Sequence, residues 1–190
     1  AADEVNKRIE DAAIIIINKI KLDAATLSQA KKVKLICLVA TGTDNVDLIA
    51  AKEQGITVCN IKNYCTDSVA QHVVLSMLAL SHHFDEYQVS LKQGLWQKSE
   101  QFCLLEYPIT ELSAKTLGIV GLGVLGTAVA KLAVSFGMRI LVAESFRPEN
   151  SSKNDEQQKP EFKRVSFQDL VAQSDVISLH CPLTAETKSL

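Results

Sequence analysis

Residues 116–145 read TLGIVGLGVLGTAVAKLAVSFGMRILVAES. An apolar, β-prone run from Thr116 to Val120 leads into GLGVLG, Gly121 to Gly126. Apolar positions then recur at helical spacing at Val129, Leu132, Ala133 and Phe136, so Val124 to Phe136 reads as a helix stopped by Gly137. A second strand, Arg139 to Ala143, ends against an acid, Glu144. A GxGxxG string alone is a weak signal, and a plain strand–turn–helix with helpful glycines is the other reading. The setting between strand and helix decides for dinucleotide binding. Seventeen residues separate Gly126 from Glu144, the spacing at which an acid ending the second strand hydrogen-bonds the adenosine ribose.

Each residue type then has a reason. Gly121 allows the tight turn, Gly123 lets the backbone approach the pyrophosphate, and Gly126 lets helix and strand pack closely. The free N–H groups of Val124 and Leu125 face the phosphates, aided by the helix dipole. Glu144 bears on which dinucleotide is bound. A carboxylate accepts from both ribose hydroxyls of NAD but repels the 2′-phosphate of NADP, by roughly 4 kcal/mol per charge pair about 4 Å apart at an effective dielectric near 20, before screening. Arg147, three residues on, could instead greet a phosphate; a solvated loop arginine is the preferred reading, and NAD is favoured over NADP.

Outward from this unit, strands and helices alternate almost throughout. Val5 to Asp11 reads as a helix, Ala13 to Ile17 as a strand, and Asp23 caps a short helix running through Ala30. Leu35 to Val39 is a strand, Asp47 to Gln54 a helix ended by Gly55, and Ile56 to Cys59 a short strand. Such alternation implies parallel sheets with crossover helices. From Thr66 the apolar residues Val69, Ala70, Val73, Val74, Met77, Leu78, Leu80 and Phe84 recur at helical spacing as far as the stop at Gly94. This predicts one long helix, or two with a bend near Ser81-His82-His83, connecting two α/β domains whose boundary lies between Asn60 and Thr66. Leu95 to Ser113 is less regular. Ser151 to Pro160 (SSKNDEQQKP) is a polar surface loop, Ser166 with Asp169 resembles a capping box for a helix through Ala172, and Asp175 to His180 is a strand.

Bulk composition excludes several classes of function. The 190 residues are 47% hydrophobic and 22% charged, ordinary for a globular protein with a real core. A net charge of −2 offers no basic field for a phosphate backbone, which argues against nucleic acid as a partner. No apolar run is long enough for a membrane span, and the charged N-terminus lacks the layout of a secretory signal. Cys37, Cys59, Cys65, Cys103 and Cys181 are odd in number and scattered, which suits reduced thiols in a cytosolic protein. His82 and His83, taken as mid-helix, point to different sides, so no metal site is assigned. His180 reads as a strand-end histidine with a hydrogen-bond partner.

Taken together, TGTDNVDL (Thr41 to Leu48), NYCTDSVAQHV (Asn63 to Val73), GLGVLG, GMRILVAE and SLHCPLTAETKSL (Ser178 to Leu190) resemble the D-isomer-specific 2-hydroxyacid dehydrogenases. TGTDNVD and WQKSEQFC (Trp96 to Cys103) point to the glycerate dehydrogenase, or hydroxypyruvate reductase, branch. The resemblance implies an α/β fold: an incomplete Rossmann-like parallel sheet at 64–190 that binds NAD, and part of a flavodoxin-like substrate domain at 1–63. It implies that the amides of Thr41 and Gly42 receive the carboxylate of a small 2-keto or 2-hydroxy acid. Without the resemblance, a glycine at a strand–helix turn with Asp47 as cap explains that loop equally well. It further implies that Cys181 and Pro182 line the cofactor pocket and that the protein is a cytoplasmic homodimer.

Two residues depart from the family pattern. Val124 stands where many members carry a polar or basic residue, and Gln71 replaces a common glutamate. The arginine, glutamate and histidine on which catalysis depends in the family match nothing before Leu190, and members begin with a strand and helix ahead of Val5. The expectation is therefore a chain trimmed at both ends, inactive alone, with no catalytic residue of its own. An NAD-binding corepressor-like sensor of the same fold is the alternative function.

Overall fold

The computed structural model describes residues 2–146, 162–184 and 186–190. They part after Tyr64 into two compact units.

The first unit comprises α1 (Ala2–Ile9), β1 (Ile14–Ile17), α2 (Ala24–Gln29), β2 (Leu35–Leu38), α3 (Leu48–Glu53) and β3 (Thr57–Asn60). Its strands are parallel in the order β1-β2-β3, with Ile14, Leu35 and Thr57 in register. Period-two alternation sends Ile15, Ile17, Ile36 and Leu38 into a core with Leu22 and Leu27, and leaves Ile14 and Ile16 60% and 71% exposed. The helices begin where the sequence predicts: Asp23 accepts from the Thr26 N–H at 2.9 Å, and Asp47 from the Ala50 N–H at 2.9 Å. Gly55, at φ +69°, takes the left-handed turn after α3. The first helix is shifted from its expected span of Val5 to Asp11 and ends at Ile9. Glu10 and Asp11 would put negative charge at the negative end of the helix dipole, whereas Lys7 and Arg8 suit the last turn. Asp11 instead pairs with Lys32 at 2.5 Å.

The second unit comprises α4 (Thr66–Ser81), α5 (Phe84–Lys92), α6 (Leu95–Lys98), β4 (Thr116–Val120), α7 (Val124–Ser135), β5 (Arg139–Ala143), β6 (Lys163–Val165), α8 (Phe167–Gln173) and β7 (Val176–Leu179). All four strands are parallel, in the order β6-β5-β4-β7. The chain runs from β4 outward through β5 to β6, then crosses to the other side of β4 to form β7. That reversal is the topological switch point of a Rossmann-like sheet, where ligands bind beyond the carboxyl ends of the strands. Every residue of β4 is buried. On one face Ala70, Val74 and Met77 of α4 join Val129, Ala130 and Ala133 of α7 over Leu117 and Ile119. Leu170 of α8 joins Val120, Ala143 and Val165 in a smaller cluster.

The helical run after Thr66 breaks in two. His82 caps α4, and His83 takes a left-handed conformation at φ 48° before α5, so the two histidines sit at the break and not mid-helix. The His83 ring stacks on Tyr107 with centroids 6.0 Å apart, and this contact accompanies a backbone region that few non-glycine residues occupy. Strand β6 escaped the sequence reading because Lys163 and Arg164 are exposed and only Val165 is buried, too little alternation to register. The one-turn helix α6 within the irregular stretch escaped likewise. Ser166 caps α8 by accepting from the Asp169 N–H at 3.1 Å. The Ser166 hydroxyl in turn donates to the Asp169 carboxylate at 2.7 Å, a variation on the capping box. The stretch Ser151 to Pro160 lies outside the described residues, among which no helix is long and apolar enough to cross a membrane.

Candidate cofactor site and anion-binding loop

The glycine loop begins where β4 ends. Gly121 has φ +96°, and a Cβ there would lie 2.7 Å from both the Cys181 nitrogen and the His180 carbonyl carbon. A Cβ on Gly126 would run into the carbonyl oxygen of Gly121, and only a bare α-carbon lets α7 come that close to the turn. The His180 N–H donates to the Val120 carbonyl at 2.7 Å, which binds the loop after β7 to the end of β4. Gly121, Gly126, His180 and Cys181 therefore meet at the switch point. Gly123 differs from its two neighbours: it is exposed, and nothing lies within 4 Å of where its Cβ would be.

Gly123 is also the N-cap of α7, and no side chain caps that end. The first intrahelical bond runs from the Thr127 N–H to the Gly123 carbonyl at 2.9 Å. Helix geometry leaves the N–H groups of Val124, Leu125 and Gly126 without intrahelical acceptors, at the positive end of a 12-residue dipole. Open space, free donors and positive potential coincide, so the loop fits a pyrophosphate. Glu144 follows β5 directly; its N–H is held by the Val165 carbonyl at 2.9 Å while the residue stays exposed. Because β4 and β5 are parallel, Glu144 and Gly121 share one edge of the sheet. Arg147 lies outside the described residues.

Beyond β7, Cys181 is half-buried, and the Pro182 carbonyl accepts from the Thr187 hydroxyl at 2.6 Å. Thr187 also receives the Thr184 N–H at 2.8 Å, which folds the segment back on itself. The His180 Nε2 lies 2.9 Å from the Ser178 hydroxyl, and burial pushes its pKa down, favouring the neutral ring. His180 thus has the geometry of a strand-end histidine with a hydrogen-bond partner.

In the first unit, Thr41 and Gly42 follow β2. Gly42 does not adopt the left-handed conformation that an alternating nest requires; what suits glycine there is crowding, since a Cβ would lie 3.0 Å from the Asp44 Oδ1. No hydrogen bond among the described residues engages the N–H groups of Thr41 or Gly42. The segment is held by its other groups. The Asn60 side-chain amide donates to the Thr41 carbonyl at 2.7 Å, and the Thr41 hydroxyl donates to the Ile61 carbonyl at 3.0 Å. Asn45 anchors the loop's far side by donating to the carbonyls of Asn18 and Ile20 at 3.1 and 2.8 Å. Sequence reading missed both asparagines; Asn60, polar at the very end of an apolar strand, was the available signal.

A cleft of about 660 Å³ opens between α4, the segment before β4 and the start of β7. It sits at the amino ends of the strands, the opposite edge of the sheet from Gly121, and is not the cofactor site. Its acid, Asp175, is already engaged by the Thr116 N–H at 2.8 Å and Lys115 at 3.5 Å. All five cysteines are free thiols, and no cluster among the described residues could hold a metal.

Comparison with known proteins agrees with this geometry. Residues 74–190 match the model of the D-isomer specific 2-hydroxyacid dehydrogenase NAD binding domain. The chain is 43% identical to a glycerate dehydrogenase of Methylorubrum extorquens over 99% of its own length and 56% of that protein. It is 35% identical to a hydroxypyruvate reductase of Blautia hydrogenotrophica, covering 99% of the chain and 56% of the relative. The D-lactate dehydrogenase of Aquifex aeolicus, solved with NAD and lactic acid, superposes with a TM-score of 0.79 at 30% identity, over 95% of this chain and 51% of that one. The chain thus spans a little over half the length of these relatives. With that much of its sequence matching the family's NAD-binding domain, and an uncapped glycine turn at the switch point to receive the cofactor, the chain belongs to the D-isomer-specific 2-hydroxyacid dehydrogenase family.

Proposed function

We propose that the protein carrying this chain is an NAD-dependent oxidoreductase that reduces a small 2-keto acid, with hydroxypyruvate the foremost candidate, to the D-hydroxy acid. One observation carries the reading: the uncapped, glycine-entered N-terminus of α7 opens on the same sheet edge as Glu144. In this reading the amides of Val124 and Leu125, beside Gly121, Gly123 and Gly126, hold the pyrophosphate. Glu144 accepts from the ribose hydroxyls, and Cys181 and Pro182 line the pocket. The first unit is the substrate-binding part, and the unengaged amides of Thr41 and Gly42 take the substrate carboxylate. When bound, NADH supplies the hydride; these residues bind and orient, and none of them is assigned the proton transfer.

The choice of substrate is supported by the similarity to glycerate dehydrogenase and hydroxypyruvate reductase. Exposed Leu75, Leu80, Trp96, Phe102 and Leu105, in α4, α6 and the stretch after it, support a homodimer, and five free thiols suit a reducing cytoplasm. Initial rates of the intact protein with NADH against glyoxylate, hydroxypyruvate, pyruvate and bulkier keto acids test the proposal. Hydroxypyruvate is expected to give the highest kcat/KM, glyoxylate a lower one, and the product the D configuration. Activity confined to apolar keto acids of lactate size or larger would overturn it.

A further inference from the structure

We infer that Asn60 is a positioning residue for the substrate carboxylate, acting through the peptide bond between Thr41 and Gly42. The inference rests on the carboxylate role proposed for that loop. A peptide unit is planar and trans, so its carbonyl oxygen and the following N–H point in opposite directions. The oxygen of this unit is held by the Asn60 side-chain amide at 2.7 Å. Holding the Thr41 oxygen fixes the opposite end, and the Gly42 N–H is turned away from Asn60 with no acceptor among the described residues.

Two further bonds stop the unit from swinging. The Thr41 hydroxyl donates to the Ile61 carbonyl at 3.0 Å, and the Ile61 N–H donates to the Ala40 carbonyl at 3.2 Å. Residues 40–41 are thus stitched to 60–61 on the N-terminal side of the peptide in question. Asn60 contributes a second effect besides direction. An N–H donated to a peptide oxygen draws electron density toward that oxygen and strengthens the same unit as a donor at nitrogen. The helix that follows cannot replace this amide, because Asp47 already caps α3.

Asparagine suits the task where its near-isosteres do not. Aspartate in its place would set a carboxylate against the Thr41 carbonyl, two acceptors facing each other. Alanine would remove the bond that holds the Thr41 oxygen and loosen the peptide. Neither change touches the glycine loop, which belongs to the other unit.

The test uses the intact protein and the variants Asn60→Ala, Asn60→Asp and Thr41→Val, each assayed with hydroxypyruvate and with its uncharged amide. A hydrogen bond to a charged group is worth about ten- to a hundredfold in binding, so KM for the keto acid should rise by about that factor in both Asn60 variants. NADH affinity and Tm should stay close to wild type. Thr41→Val should raise KM less, because Asn60 still holds the oxygen. The uncharged amide should react equally poorly with all forms. If the wild type did not discriminate acid from amide, the carboxylate role of the loop would fail, and this inference with it. If discrimination were present and unchanged in Asn60→Asp, the inference alone would be overturned. A variant that lost NADH affinity along with substrate affinity would also count against it, since that pattern marks general structural damage.

Discussion

Two turns in this chain follow the carboxyl end of a parallel strand and lead into a helix, and they meet that task by opposite means. After β4, the turn is built from backbone alone: Gly121 takes a positive φ, Gly126 permits contact, and no side chain caps α7. After β2, the turn is built from side chains: Asp47 caps α3, while Asn60 and Thr41 tie the loop to the next strand. The difference decides what each turn can receive. An uncapped helix end offers several convergent donors and a dipole, enough for a doubly charged pyrophosphate. In the six-residue α3 the Asp47 carboxylate occupies one donor and its charge opposes the dipole, so in the proposed function the anion falls to the loop amides of Thr41 and Gly42.

The sharpest way to break that contrast is to cap the uncapped helix. Gly123→Asp places an acceptor at the N-cap of α7 in open space, since nothing lies within 4 Å of the new Cβ. An aspartate cap is worth a few tenths of a kcal/mol over glycine, so Tm should be unchanged or slightly raised. The carboxylate would occupy the pyrophosphate's donors and repel its charge, and NADH affinity should fall at least about a hundredfold, the equivalent of roughly 3 kcal/mol. Calorimetric titration with NADH and a melting curve check both halves. Retained affinity would show that the phosphates do not use this helix end.

Next in size is a test of glycine for glycine. Gly126→Ala pushes a methyl group into the Gly121 carbonyl, a backbone atom that cannot move aside, and should destabilise by about 1–3 kcal/mol while weakening NADH. Gly42→Ala meets only the movable end of the Asp44 side chain at 3.0 Å, with no positive φ to strain, and should cost under about 1 kcal/mol. Denaturant midpoints for the two variants give the comparison directly, and equal losses would erase the distinction between the turns.

The same contrast explains what could be read from the sequence. A turn made of backbone leaves its mark in residue types: three glycines at a set spacing, strands on both sides, an acid at Glu144. Those elements were legible to within a residue, because each glycine or acid has few physical alternatives at its place. A turn made of side-chain stitches leaves no local mark. Asn60 and Thr41 are nineteen positions apart, and nothing in either neighbourhood announces their bond. Strand β6 was lost for a related reason: most of what makes it a strand is its pairing with β5, with Leu141 opposite Lys163, and not its own pattern. The break at His82 and His83 was one of two readings of that helical run, and the Tyr107 ring that stacks there comes from a distant segment.

A smaller effect separates the two cofactors. Glu144→Ala should weaken NADH by about three- to tenfold, the scale of one or two exposed hydrogen bonds, and narrow the gap to NADPH. Parallel titrations with both nucleotides measure it. A bias that survived the substitution would place the selectivity elsewhere, and Arg147 would be the next residue to change.

The smallest expected effect lies at the opposite edge of the sheet, where side-chain stitching serves stability alone. Asp175 joins the starts of β4 and β7 by accepting the Thr116 N–H at 2.8 Å, with Lys115 nearby at 3.5 Å. The Thr116 N–H, first, and then the charges of Lys115 and Arg139 hold its pKa below the ordinary carboxylate value. A carboxyl whose pKa is lower when folded than when unfolded binds fewer protons in the native state. Its contribution to stability is therefore complete above the unfolded pKa and is lost as pH falls through the folded one. Asp175→Asn keeps an acceptor for Thr116 but removes the charge. It should lower Tm slightly at pH 7, and the gap to wild type should close as pH drops below the ordinary carboxylate range. NADH affinity should not change, since the residue lies at the far end of β4 from the glycine loop. Melting curves at several acid pH values decide the matter, and a Tm difference that held constant down to the most acid pH would mean that the charge of Asp175 contributes nothing to the fold.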